Sequence, residues 1–122
     1  MEQLLGKEWG VWVSRSSGEL TLHMPVESGF AGFSFDFPCS EDDLRVLSSS
    51  RFRRKILELI LHVHLQPSTI RGGPKIETPR ILRIIETVLH GTLKDIEQEI
   101  QASPESSYIR SLITQAEVQM DT

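Results

Sequence analysis

The chain has one cysteine, Cys39, in 122 residues, so no internal disulfide can form and an intracellular setting is the simplest reading. No apolar run approaches the ~18 residues of a membrane span, and Met1 to Lys7 lack the basic start and long apolar stretch of a secretory signal. A soluble cytoplasmic protein without membrane contact is expected. Aromatic residues are scarce, at 7%, and no exposed aromatic is expected among the basic residues, such as a single-strand nucleic-acid platform requires. The Gly72-Gly73 pair lacks the spacing of a Walker or dinucleotide motif, nothing around Cys39 resembles a catalytic-cysteine motif, and no cofactor is expected.

What is present is the composition of one globular domain over residues 1–122, with 39% hydrophobic and 25% charged residues. The net charge of -4 conceals an uneven distribution. Residues 1–50 hold three basic against eight acidic side chains, a net -5; residues 51–90 hold eight against three, a net +5; and residues 91–122 return to -4. An acidic protein with one basic segment is not a typical nucleic-acid binder, and no direct nucleic-acid contact is expected.

Hydrophobic periodicity divides the chain. Residues 1–38 alternate with period two. Trp9, Val11 and Val13 share one face of a first strand, Ser16 to Gly18 make a turn, and Leu20, Leu22, Met24 and Val26 share one face of a second strand. Pro25 has no amide proton for a ladder, so it belongs at an edge or near a strand end. After a loop over 27–32, Phe33, Phe35 and Phe37 place three aromatics on one face of a third strand. From residue 40 to about 120 the period becomes 3.6. Ser40 with Asp43 starts a short helix to about Leu47, and 51–65 forms a central helix whose exposed edge carries Arg51, Lys55, Glu58 and His62. A long loop covers 66–77. A helix from Thr78 stops at Gly91, another restarts at Thr92 with Leu93, Ile96 and Ile100 inward, and a last one turns Tyr108, Ile109, Leu112, Ile113 and Ala116 inward. The fold class is α+β, a three-stranded antiparallel sheet packed against four to five helices.

Candidate chemistry is sparse. His62 and His64 point about 200° apart on a helix and cannot share one ion, so no metal is expected. His64 reads as a core-edge histidine bonded to backbone, and His62 can pair with Glu58. Cys39 precedes a helix N-terminus, which favours thiolate, but Glu41, Asp42 and Asp43 oppose it. The basic cluster Arg51, Arg53, Arg54 and Lys55 faces the positive end of a helix dipole, and pairing with the acidic turn 41–43 would compensate. A small nucleic-acid-binding or regulatory module using the basic segment 51–83, with a phosphate or acidic-partner surface built from Arg51, Arg54, Arg71, Lys75, Arg80 and Arg83, is the alternative. Asp36, Glu41, Asp42 and Asp43 make the strand end acidic, a docking face for a basic partner, with Trp12 as aromatic anchor if it lies on the open side.

An N-terminal sheet whose strand Phe33-Ser34-Phe35-Asp36-Phe37-Pro38 feeds Ser40-Glu41-Asp42-Asp43-Leu44, followed by a long apolar helix and further helices, resembles bacterial immunity proteins of contact-dependent growth inhibition and related polymorphic toxin systems. The resemblance implies a cytoplasmic, non-enzymatic protein that binds the C-terminal domain of its cognate toxin, often a nuclease, and occludes its active site. It transfers no site residue. Whether the chain is a monomer or a homodimer is left open.

Overall fold

The structure, a computed structural model, describes residues 2–5, 10–28, 31–69 and 76–120. Strands β1 (Glu2–Leu5), β2 (Trp12–Ser16), β3 (Glu19–Ser28) and β4 (Ala31–Cys39) form an antiparallel sheet in chain order. Helices α1 (Glu41–Ser49), α2 (Arg51–Leu65), α3 (Thr78–His90), α4 (Leu93–Ala102) and α5 (Ser106–Met120) follow. The class is α+β, as expected, but the sheet has four strands. The extra one, β1, is a four-residue edge strand with a register irregularity between Gln3 and Leu5, too short to show alternation.

The hairpins are tighter than the sequence suggests. Ser16 pairs with Glu19 across Ser17 and Gly18, which both have positive φ, 53° and 82°, the backbone a two-residue primed turn requires. Between β3 and β4 the ladder runs to Ser28 and Ala31, so the expected loop over 27–32 is mostly paired strand. Pro25 lies two residues beyond His23, the last β3 residue paired with β2, and needs to satisfy only one neighbour.

Val11, Val13, Leu20, Leu22, Met24, Val26 and Phe37 form the sheet's side of the core. Ile56, Leu57, Ile60, Leu61, Val63 and Leu65 of α2 meet them, and α3, α4 and α5 add Ile81, Ile84, Ile85, Val88, Leu89, Ile96, Ile100 and Ile109. So broad an apolar surface on α2 explains its central place. Capping boxes start α1 (Ser40 with Asp43) and α4 (Thr92 with Asp95), while Pro79 in its first turn starts α3.

Four residues that the periodicity places inward face solvent, among them Leu82 of the α3 stripe, 37% exposed. Phe33, on the edge strand β4, is 40% exposed although its partner Val26 is buried. Leu93 and Tyr108, 66% and 55% exposed, stand in the first turns of α4 and α5. Helical side chains lean toward the N-terminus, so first-turn side chains project past the end of the packed surface. The expected loop 66–77 begins as a 3-10 turn over Gln66–Thr69; residues 70–75, with Arg71, Gly72, Gly73 and Lys75, lie outside the described residues.

Candidate binding groove and its polar surroundings

Alternation decides what the sheet shows on its second face. Since Val13, Leu22, Met24 and Phe37 point to the helices, Trp12, Ser14, Thr21, His23, Asp36 and Pro38 point away. Register then brings Trp12 opposite His23 and His23 opposite Asp36. The indole stacks on the imidazole with ring centroids 3.9 Å apart and planes inclined by 18°. His23 Nδ1 lies 2.6 Å from Asp36 Oδ1, and Nε2 lies 2.7 Å from Ser14 Oγ. In the neutral ring Nδ1–H donates to the carboxylate and Nε2 accepts the hydroxyl proton.

Hydroxyl, imidazole and carboxylate are thus wired as in a nucleophilic triad. Ser14, however, is only 3% exposed, and Trp12 covers one face of the imidazole. Its Oγ is closed to a substrate in this arrangement, and the three groups serve as a brace that orients Asp36 and Trp12.

Asp36 also stands on a shallow groove of about 590 Å³ where the ends of β3 and β4 meet the start of α1. Glu19, Asp36 and Glu41 place three carboxylates on its lining, and Cys39 contributes to the wall. Arg15 reaches Glu41 at 3.0 Å, but the side chains are 38% and 66% exposed, so the pair is screened and readily exchanged for a partner's cation. Burial, then the negative charges of Asp43 and Glu41, push the Cys39 thiol up to about 11. It is protonated at neutral pH, and its Sγ contacts the Ser40 carbonyl at 3.5 Å.

The expected acidic cluster therefore divides. Asp36 and Glu41 share the groove, and Trp12 joins them through His23 on the open side. Asp42 pairs with Arg45 one turn along α1. Asp43 turns inward, closing the capping box through Oδ2 and meeting His90 Nε2 through Oδ1 at 2.6 Å.

The basic segment does not neutralise that acidic turn, contrary to expectation. Arg53 donates to the carbonyls of Val88 and Gly91, at 3.0 and 2.8 Å, where α3 ends. The negative end of the α3 dipole supplies the compensation that the acidic turn was expected to give. Arg80 grips Glu99 with two bonds of 2.6 and 3.3 Å and is already engaged. Arg51 and Arg83 are exposed and Arg54 is half-buried, while Arg71 and Lys75 lie outside the described residues.

Two further titratable groups are structural. Glu58, expected on the exposed edge as a partner for His62, instead turns toward the sheet and accepts the Val11 amide at 3.1 Å. Burial raises its pKa above the ordinary 4.5, against the lowering effects of Lys55 first and then the Val11 bond and Arg54. A Cβ at Gly10 would overlap this carboxylate, so glycine gives it room. His64 bonds Ser103 Oγ at 3.2 Å rather than backbone; burial and then Arg80 lower its pKa, while Glu99 opposes them.

The sequence reading did not find His23 and Ser14 as site residues. A usable signal was there: a two-residue turn at Ser17-Gly18 fixes Trp12 against His23 by counting outward. The loop that the sequence suggests over 27–32 hides the His23 to Asp36 pairing, because the ladder in fact runs on to Ser28 and Ala31.

Comparison with protein-family models, with curated proteins and with solved structures returned no match for this chain. No helix among the described residues is long and apolar enough to cross a membrane.

Proposed function

We propose that this is a non-enzymatic immunity protein of the cytoplasm that binds a cognate toxin domain, a nuclease, and occludes its active site. The observation that carries the reading is the groove itself: Glu19, Asp36 and Glu41 converge from three elements beside a part-exposed tryptophan whose orientation is fixed by stacking. A nuclease site is built to hold phosphates, so converging carboxylates can take the place of substrate. An aromatic anchor next to charge is the composition of an interface hot spot. The competing basic surface is weakened by the engagement of Arg80 with Glu99.

The test is co-purification with the C-terminal domain of a toxin encoded by the neighbouring gene, together with an assay of its nuclease activity. Asp36→Lys combined with Glu41→Lys is expected to weaken the complex by about 3 kcal/mol or more, over a hundredfold, and restore nuclease activity. An unaffected complex, or affinity for RNA or DNA at low salt without any toxin binding, overturns the reading.

A further inference from the structure

Asp43, Glu86 and His90 bring one ligand atom each to within 4.8 Å of one another, in a place that neither the groove nor the core accounts for. We propose that they form a zinc site joining α1 to α3, with three protein ligands and a remaining position open to water. This does not depend on the proposed function.

Glu86 and His90 lie four residues apart on α3 and so share one face, the spacing at which a helix offers two side chains to one ion. Asp43 comes from α1 and its carboxylate is already oriented. Oδ2 accepts the Ser40 amide at 3.0 Å, leaving Oδ1 turned to His90. Such a hydrogen bond behind a ligating oxygen is what holds first ligands in place at known metal sites.

The distances accommodate an ion with small adjustments. Asp43 Oδ1 and His90 Nε2 are 2.6 Å apart. Zinc bonds of about 2.1 Å to each, at angles between 90° and tetrahedral, need about 3.0 to 3.4 Å between the two atoms. The required opening is below about 1 Å, within reach of side-chain rotation at a part-exposed pair. The donor set also selects the ion. One imidazole with two carboxylates suits zinc, whereas calcium and magnesium prefer oxygen ligands alone. Two carboxylates balance the charge of a dication.

Calorimetric titration of the full chain with zinc chloride tests the proposal, with cobalt as a spectroscopic probe. One ion per chain is expected, with visible cobalt bands of low coordination number and a melting temperature that rises with zinc and returns with chelator. Glu86→Ala, at an exposed position, should weaken binding by at least about tenfold. His90→Ala should abolish it, and His90→Gln, which can still donate to Asp43, should do the same without loss of the fold. Absence of binding to the natural chain, or binding that survives both Glu86→Ala and His90→Gln, overturns the proposal. Loss of binding in His62→Ala or His64→Ala, with Glu86→Ala silent, overturns it as well.

Discussion

The sheet and the helical layer treat their polar residues in opposite ways. Among the helices, charge is spent internally: Arg53 on the last carbonyls of α3, Arg80 on Glu99, and His64 on Ser103. On the sheet, Trp12, His23 and Asp36 are organised by one another but remain at the surface, beside a groove that also carries Glu19 and Glu41. The difference teaches that charge counted along a chain does not measure charge offered to a partner. In the segment with the largest excess of Lys and Arg, Arg53 and Arg80 are tied into helix packing, whereas Glu19, Asp36 and Glu41 keep exposed carboxylates on the groove lining.

The contrast can be broken most forcefully at Arg53. Arg53→Met keeps the aliphatic stem but strands two carbonyls, and about 2 to 3 kcal/mol of stability should be lost in urea denaturation. A loss under about 0.5 kcal/mol would show that water serves the end of α3 equally well.

A middle-sized effect concerns pH. The lowered pKa of His64 means that the unfolded ring gains its proton first, near the ordinary 6.5. Its stabilising contribution is complete above that pH and is lost as pH falls through the folded value. Glu58 acts in reverse: its raised pKa makes the folded state take the proton first, so stability from this group grows as pH falls from neutral toward 4.5. Urea midpoints at several pH values should therefore change slope in opposite senses in His64→Gln and Glu58→Gln. Identical profiles for both variants and the natural chain would deny that either group is held in an unfavourable charge state.

The smallest effect on the fold belongs to the sheet. Asp36→Asn alters a side chain that is 58% exposed, and stability should stay within about 0.5 kcal/mol. Under the proposed function, binding to a toxin domain should nevertheless fall, as measured by titration. A large destabilisation instead would make Asp36 a structural residue and move it to the other side of the comparison.

Features written within a few residues were legible in the sequence. The bounds of α2, the capping boxes of α1 and α4, the stop at Gly91 and the Ser17-Gly18 turn all follow from local periodicity or local hydrogen bonding. Partners distant in the chain were not legible. Arg53 finds Gly91 across 38 positions and His90 finds Asp43 across 47, and no propensity encodes such a meeting. The division of the acidic turn into Glu41 at the groove, Asp42 on Arg45 and Asp43 on His90 depends on helix orientation, which only the packed core determines. Of the candidate site, the residue types were readable and the company each one keeps was not.

The alternation of β2, β3 and β4 has an evolutionary consequence. Residues that fill the core and residues that face outward occupy neighbouring positions of the same strands, so either set can be replaced without touching the other face. Substitutions at Trp12, Thr21, His23 and Asp36 change the outward face while Val13, Leu22, Met24 and Phe37 stay constant. A single inserted or deleted residue, by contrast, would exchange the two sets at once, so such a lineage can diversify by replacement but not by slippage.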